Sequence, residues 1–116
     1  MKRLTPFLFI ATLAAALSGA PSGAAAADWT NAPLRVLFLG DRAGHRPAQR
    51  FAILEPVLAQ RGIEMTYTES MSDFNPERLA EVDCVLIYAN VTRISPEQEK
   101  ALLDFVSAGG GLVPIH

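Results

Sequence analysis

Residues 34–47, LRVLFLGDRAGHRP, restrict the fold more than any other part of the chain. Val36-Leu37-Phe38-Leu39 is an unbroken apolar run that stops at Gly40. A strand apolar at consecutive positions has both faces covered, the condition of a central strand in a parallel sheet flanked by helices. A polar loop from Asp41 to Arg46 follows, and Pro47 opens a helical pattern. Proline suits the first helical position because the N–H it lacks would have no intrahelical partner there. In open sheets of this kind ligands collect beyond the carboxyl ends of the strands, where the strand order reverses.

The remaining chain repeats the alternation. Phe51, Leu54 and Leu58 share one helical face with Val57 beside them, and Gly62 is placed to close that helix at C′. Pro56 removes one backbone bond, which predicts a kink with the helix continuing. Ile63 to Thr68 alternates apolar and polar residues, as a strand at a sheet edge does. Asn75-Pro76-Glu77 starts a short helix with a cap, a proline at N1 and an acid in the first turn. Residues 83–88 form a second continuous apolar strand. Ser95-Pro96-Glu97-Gln98 then supplies a capping box, with Ala101, Leu102, Phe105 and Val106 as the buried stripe. Gly109-Gly110-Gly111 ends this helix, and residues 112–115 form a fourth strand running into His116.

The order β-α-β-α-β-α-β predicts an α/β fold with a parallel sheet, right-handed crossovers and helices on both faces. Placing the alternating strand at an edge gives strand order 2-1-3-4, a flavodoxin-like arrangement whose switch point lies between the first and third strands. The fourth strand would leave its outer edge bare, an aggregation hazard. Residues 34–116 are therefore expected to be the N-terminal portion of a domain incomplete at its C-terminus, or the product of a truncated gene model.

Residues 1–27 stand apart. Lys2 and Arg3 precede an apolar run of 14 residues, Leu4 to Leu17, and Ala25-Ala26-Ala27 offers a cleavage site before Asp28. This is the pattern of a secretory signal peptide, and the run is shorter than the roughly 20 residues that span a bilayer. It implies export to a periplasmic or extracellular space and no membrane contact after cleavage; the alternative is an uncleaved anchor. Residues 28–33 are expected to form a short, disordered lead-in. Lys2 and Arg3 are the only charged side chains of the leader, so cleavage moves the formal charge from −2 to −4. A mildly acidic chain lacks the basic face of a general nucleic-acid binder. The single cysteine, Cys84, excludes an internal disulfide and sits in an apolar strand pattern, where a buried, inert thiol is expected.

Three segments should meet at the carboxyl edge: residues 40–46, residues 89–94 and His116. They carry Asp41, Arg42, His45, Arg46, Asn90, Arg93 and His116. His45 is suited to act as a general base, a metal ligand or a donor to a sugar hydroxyl, or only to shape the turn after Gly44. Asn90 either hydrogen-bonds a polyol or holds an Asx-turn, and the arginines either orient oxygen-rich groups or are simply solvated. Several familiar sites are absent from the sequence: the G-x-G-x-x-G fingerprint, the phosphate-binding loop, the H-E-x-x-H zinc motif and the G-x-S-x-G elbow. No Cys/His metal-ligand cluster is present, and Asp41 with the two histidines is too sparse a set to assign a metal. Tyr88-Ala89-Asn90 stands where a phosphoacceptor aspartate would be required.

Taken in order, residues 34–40, the Gly44-His45-Arg46 turn, the Ile87-Tyr88-Ala89-Asn90 strand end, the Ser95-Pro96-Glu97-Gln98 helix start and residues 110–116 resemble the trehalose-utilisation (ThuA-like) domain. The resemblance spans nearly all of residues 34–116. It implies the class I glutamine amidotransferase-like superfamily, an α/β sandwich, and a carbohydrate-related role in a family with many secreted bacterial members. The ligand it implies is a small sugar or sugar derivative, bound or processed at the carboxyl edge, with any cofactor left open. His45, Asn90 and His116 carry over as pocket contacts. His45 or His116 would then move a proton, while Arg42, Arg46 and Arg93 orient the ligand. In amidotransferase relatives a cysteine nucleophile occupies a sharp strand-to-helix turn, and the matching turn here would fall just after His116. A non-catalytic accessory module of a larger secreted protein, or an inactive fragment, is the alternative.

Overall fold

The computed structural model describes residues 32–115. The leader, most of the lead-in and His116 lie outside these residues. Four strands, β1 (Leu34–Leu39), β2 (Ile63–Thr68), β3 (Cys84–Ile87) and β4 (Gly111–Pro114), form one sheet in the order β2-β1-β3-β4. All three pairings are parallel, with Phe38 opposite Tyr67 on one side and Leu86 on the other. The expected flavodoxin-like α/β arrangement is the one observed.

The continuous apolar run explains the central place of β1. Val36, Leu37, Phe38 and Leu39 are 7%, 0%, 1% and 1% exposed, as a strand covered on both sides requires. Alternate residues serve opposite layers. Phe38 meets Phe51 edge-on, with ring centroids 5.8 Å apart, beneath helix α1 (Pro47–Ala59). Leu37, Leu39 and Val85 pack instead with Phe74, Leu79, Val82 and Ala101, under α2 (Pro76–Leu79) and α3 (Pro96–Ser107). β2 alternates between half-buried and exposed residues, as befits an edge.

Helix signals in the sequence are realised with small corrections. Asn75 caps α2 by accepting from the Arg78 N–H, and Ser95 with Gln98 forms the full capping box of α3. Gly109, at φ 101°, and Gly110 close α3 in a Schellman geometry, their N–H groups donating to Val106 and Phe105 carbonyls. Helix α1 runs through Pro56 but ends at Ala59, so Gly62 sits two residues past the Gln60 cap and not at C′. The intervening turn closes by tighter bonds, Arg61 N–H to Leu58 and Gly62 N–H to Ala59. Val57 and Val106, expected in or beside the buried stripes, are 51% and 40% exposed, because each helix covers only part of the sheet and turns these positions outward. Cys84 is half-buried, and burial pushes its thiol up, which keeps it protonated. Among the described residues no helix is long and apolar enough to cross a membrane.

Candidate functional site

The carboxyl ends of β1 and β3 lie side by side, and the loops that leave them are tied together by one carboxylate. Asp41 Oδ1 accepts from the Ala43 N–H at 2.8 Å, shaping its own loop. Its Oδ2 accepts from the Asn90 N–H at 2.5 Å, across 49 positions of sequence. The Asn90 side chain in turn contacts the His45 ring, Nδ2 to Nε2, at 2.9 Å. An amide nitrogen only donates, so Nε2 accepts in this arrangement, and a neutral ring carries its proton on Nδ1. Tyr88, the last residue before the loop, stacks obliquely on His45 with centroids 5.7 Å apart. It also lines a groove of about 210 Å³ with Phe38, Arg50, Leu54 and Ile115.

The Asn90 and Ala43 amides, in that order, hold the Asp41 carboxyl below its usual range. The sign of the stability effect follows. Between the folded value and the unfolded value of about 3.9, only the unfolded chain binds the proton, so stability rises with pH there. The contribution is complete above about pH 4 and disappears as pH falls through the folded value. Asp83 has the same sign, held down first by the Arg35 N–H and then by its guanidinium. Melting temperature is therefore expected to fall as pH drops below about 4, the unfolded carboxylate value. Asp41→Asn, which turns an amide NH₂ toward one of the two N–H donors, should flatten that fall in part. A D41N profile parallel to wild type would contradict the clasp.

The residues expected at the rim are distributed unevenly. His45 and Asn90 come together. Arg42 reaches away to the β2 side, where its Nε donates to Glu69 Oε2 at 2.7 Å. Arg46 adopts the left-handed conformation, φ 53° and ψ 58°, immediately before Pro47. The following proline disfavours the right-handed helical region for the residue before it, so that region is closed to Arg46. Arg93 is exposed on the β3 loop. His116 lies outside the described residues, so its meeting with His45 is not part of the geometry. Among the described residues no three His, Cys, Asp or Glu side chains gather as a metal set.

Three rim residues were not singled out from the sequence: Tyr67, Glu69 and Tyr88. The register of β2 on β1 would have found the first, since Tyr67 lies opposite Phe38, one residue before β1 ends. Glu69 follows two positions later, the spacing that returns to one face of an extended chain.

A family model for ThuA, trehalose utilisation, matches residues 35–116. Among solved structures, a ThuA-like protein from Bacteroides uniformis has the same fold, with a TM-score of 0.62 at 19% sequence identity. The match covers 84% of this chain and 40% of that one, so the chain spans less than half the length of that protein. No curated protein matches.

Proposed function

Since this chain belongs to the ThuA family, linked to trehalose utilisation, we propose that the rim between β1 and β3 binds or processes a sugar or sugar derivative. The observation that carries the proposal is the His45–Asn90 contact at 2.9 Å, made by two loops 45 residues apart. A ligand hydroxyl that takes the place of the Asn90 amide would donate to His45 Nε2, which then serves as hydrogen-bond acceptor or general base. The displaced amide still offers a donor and an acceptor to a neighbouring hydroxyl. The exposed Arg42, Arg46 and Arg93 are the groups available to orient further oxygens, and His116 is a second proton carrier in this proposal. Export is proposed with it, on the leader-like residues 1–27.

Trehalose and a panel of other disaccharides, titrated into the full chain, test this directly. His45→Ala is expected to weaken binding or turnover at least tenfold, roughly the loss of one hydrogen bond to a polar ligand. The melting temperature should stay within about 4 °C of wild type, as for a surface substitution. Binding without turnover would assign a recognition module in place of an enzyme. Equal affinity for wild type and H45A would remove the site.

A further inference from the structure

Tyr67, Glu69 and Arg42 form a connected arm on the β2 side of the rim. The Tyr67 ring lies 5.8 Å from Phe38 and 5.4 Å from Phe51, centroid to centroid. It also lies against Gly40, where a Cβ would come within 2.6 Å of Tyr67 Cε2. The ring is thus fixed by packing. Its hydroxyl donates to Glu69 Oε1 at 3.0 Å, and Glu69 Oε2 accepts from Arg42 Nε at 2.7 Å. Burial, then the bond to Glu69, pushes the Tyr67 hydroxyl up to about 12, so it stays a donor. Arg42, then Tyr67, holds the Glu69 carboxyl below its usual range, so it stays an acceptor on both oxygens.

The Arg42 side chain is 91% exposed. A side chain that open ordinarily samples many rotamers, and a ligand that immobilises it loses affinity accordingly. Here the grip is at Nε alone, which leaves the two terminal nitrogens of the planar guanidinium for a bidentate contact with paired oxygens. We propose that Tyr67 and Glu69 are positioning residues of the rim site: they hold Arg42 so that its terminal nitrogens are presented to paired oxygens of the ligand. The identity of that ligand rests on the sugar reading above; the holding of Arg42 does not.

Two measurements on the full chain separate these. Without ligand, the Arg42 Nε–H signal in ¹H–¹⁵N spectra should exchange slowly in wild type, faster in Tyr67→Phe and fastest in Glu69→Gln, whose amide cannot accept from both partners. Identical Arg42 exchange in wild type and Y67F overturns the proposal. With trehalose, Y67F should weaken binding about twofold to tenfold, the cost of fixing one loose side chain. In an Arg42→Ala background Y67F should have no further effect, because it acts through Arg42. An equal loss in that background also overturns the proposal, as would a Y67F affinity equal to wild type beside a weakened R42A. If trehalose does not bind wild type, the sugar reading fails while the exchange series still decides whether Arg42 is held.

Discussion

Phe74→Ala is expected to remove about 3–5 kcal/mol of folding stability, the range for truncating a buried aromatic side chain. Phe74 is 2% exposed and belongs to the connection between β2 and β3, not to a strand or long helix. Its ring fills the layer shared by Leu37, Leu39, Leu79, Val82, Val85 and Ala101. That layer joins the centre of the sheet to α2 and α3, so no single neighbour can move in to close the void. Domains are commonly stable by only about 5–15 kcal/mol, and a loss of this size leaves little margin. Denaturant unfolding measures it. Phe74→Leu, which keeps most of the volume, should cost much less. A shift below about 1 kcal/mol for F74A, the scale of a surface change, would contradict this account of the core.

Gly40→Ala is the second large effect, and it tests the rim and not the core. A Cβ at residue 40 would stand 2.6 Å from the Tyr67 ring and 2.7 Å from the Pro47 Cβ. Both obstacles are stiff: the ring is packed against Phe38 and Phe51, and Pro47 is the buried first residue of α1. Overpacking of this kind costs about 1–3 kcal/mol. The strain should also reach the arm, displacing the Tyr67 hydroxyl from Glu69. Gly44→Ala is the matched control, four residues on in the same loop, where a Cβ meets nothing within 4 Å. It should be nearly neutral. Equal destabilisation by G40A and G44A would show that loop flexibility, and not the close approach at Gly40, sets the effect.

The sheet was legible because its signals were local and redundant. Four consecutive apolar residues in β1, an alternating β2 and three Pro-bearing helix starts determine strand order with little help from tertiary detail. Local signals also fix their own failures. Gly62 was assigned to the wrong cap position because the end of a helix depends on which carbonyls find partners, and Arg61 and Gly62 satisfied two of them by a tighter turn. Val57 and Val106 had the right period but faced away, since periodicity defines a face without saying how wide the covering layer is. At the rim, the convergence of the β1 and β3 loops followed from topology, and it placed His45 and Asn90 correctly on one edge. The clasp by Asp41 did not follow, because it is a bond between a side chain and a backbone N–H 49 residues away. Glu69 was missed for a similar reason: its role exists only through Arg42 and Tyr67, which reach it from two other positions of the fold.

The central claim is that Asp41 joins two loops so that His45 and Asn90 form one site. The most direct measurement is the ¹⁵N spectrum of the His45 imidazole in the full chain, compared among wild type, Asn90→Ala and Asp41→Asn. The predicted result is an Nε2 that accepts a hydrogen bond in wild type, with a signal that shifts when Asn90 is truncated and shifts the same way when Asp41 is replaced. His45 signals that stay the same in all three proteins would show that the loops act separately, and the site would not exist.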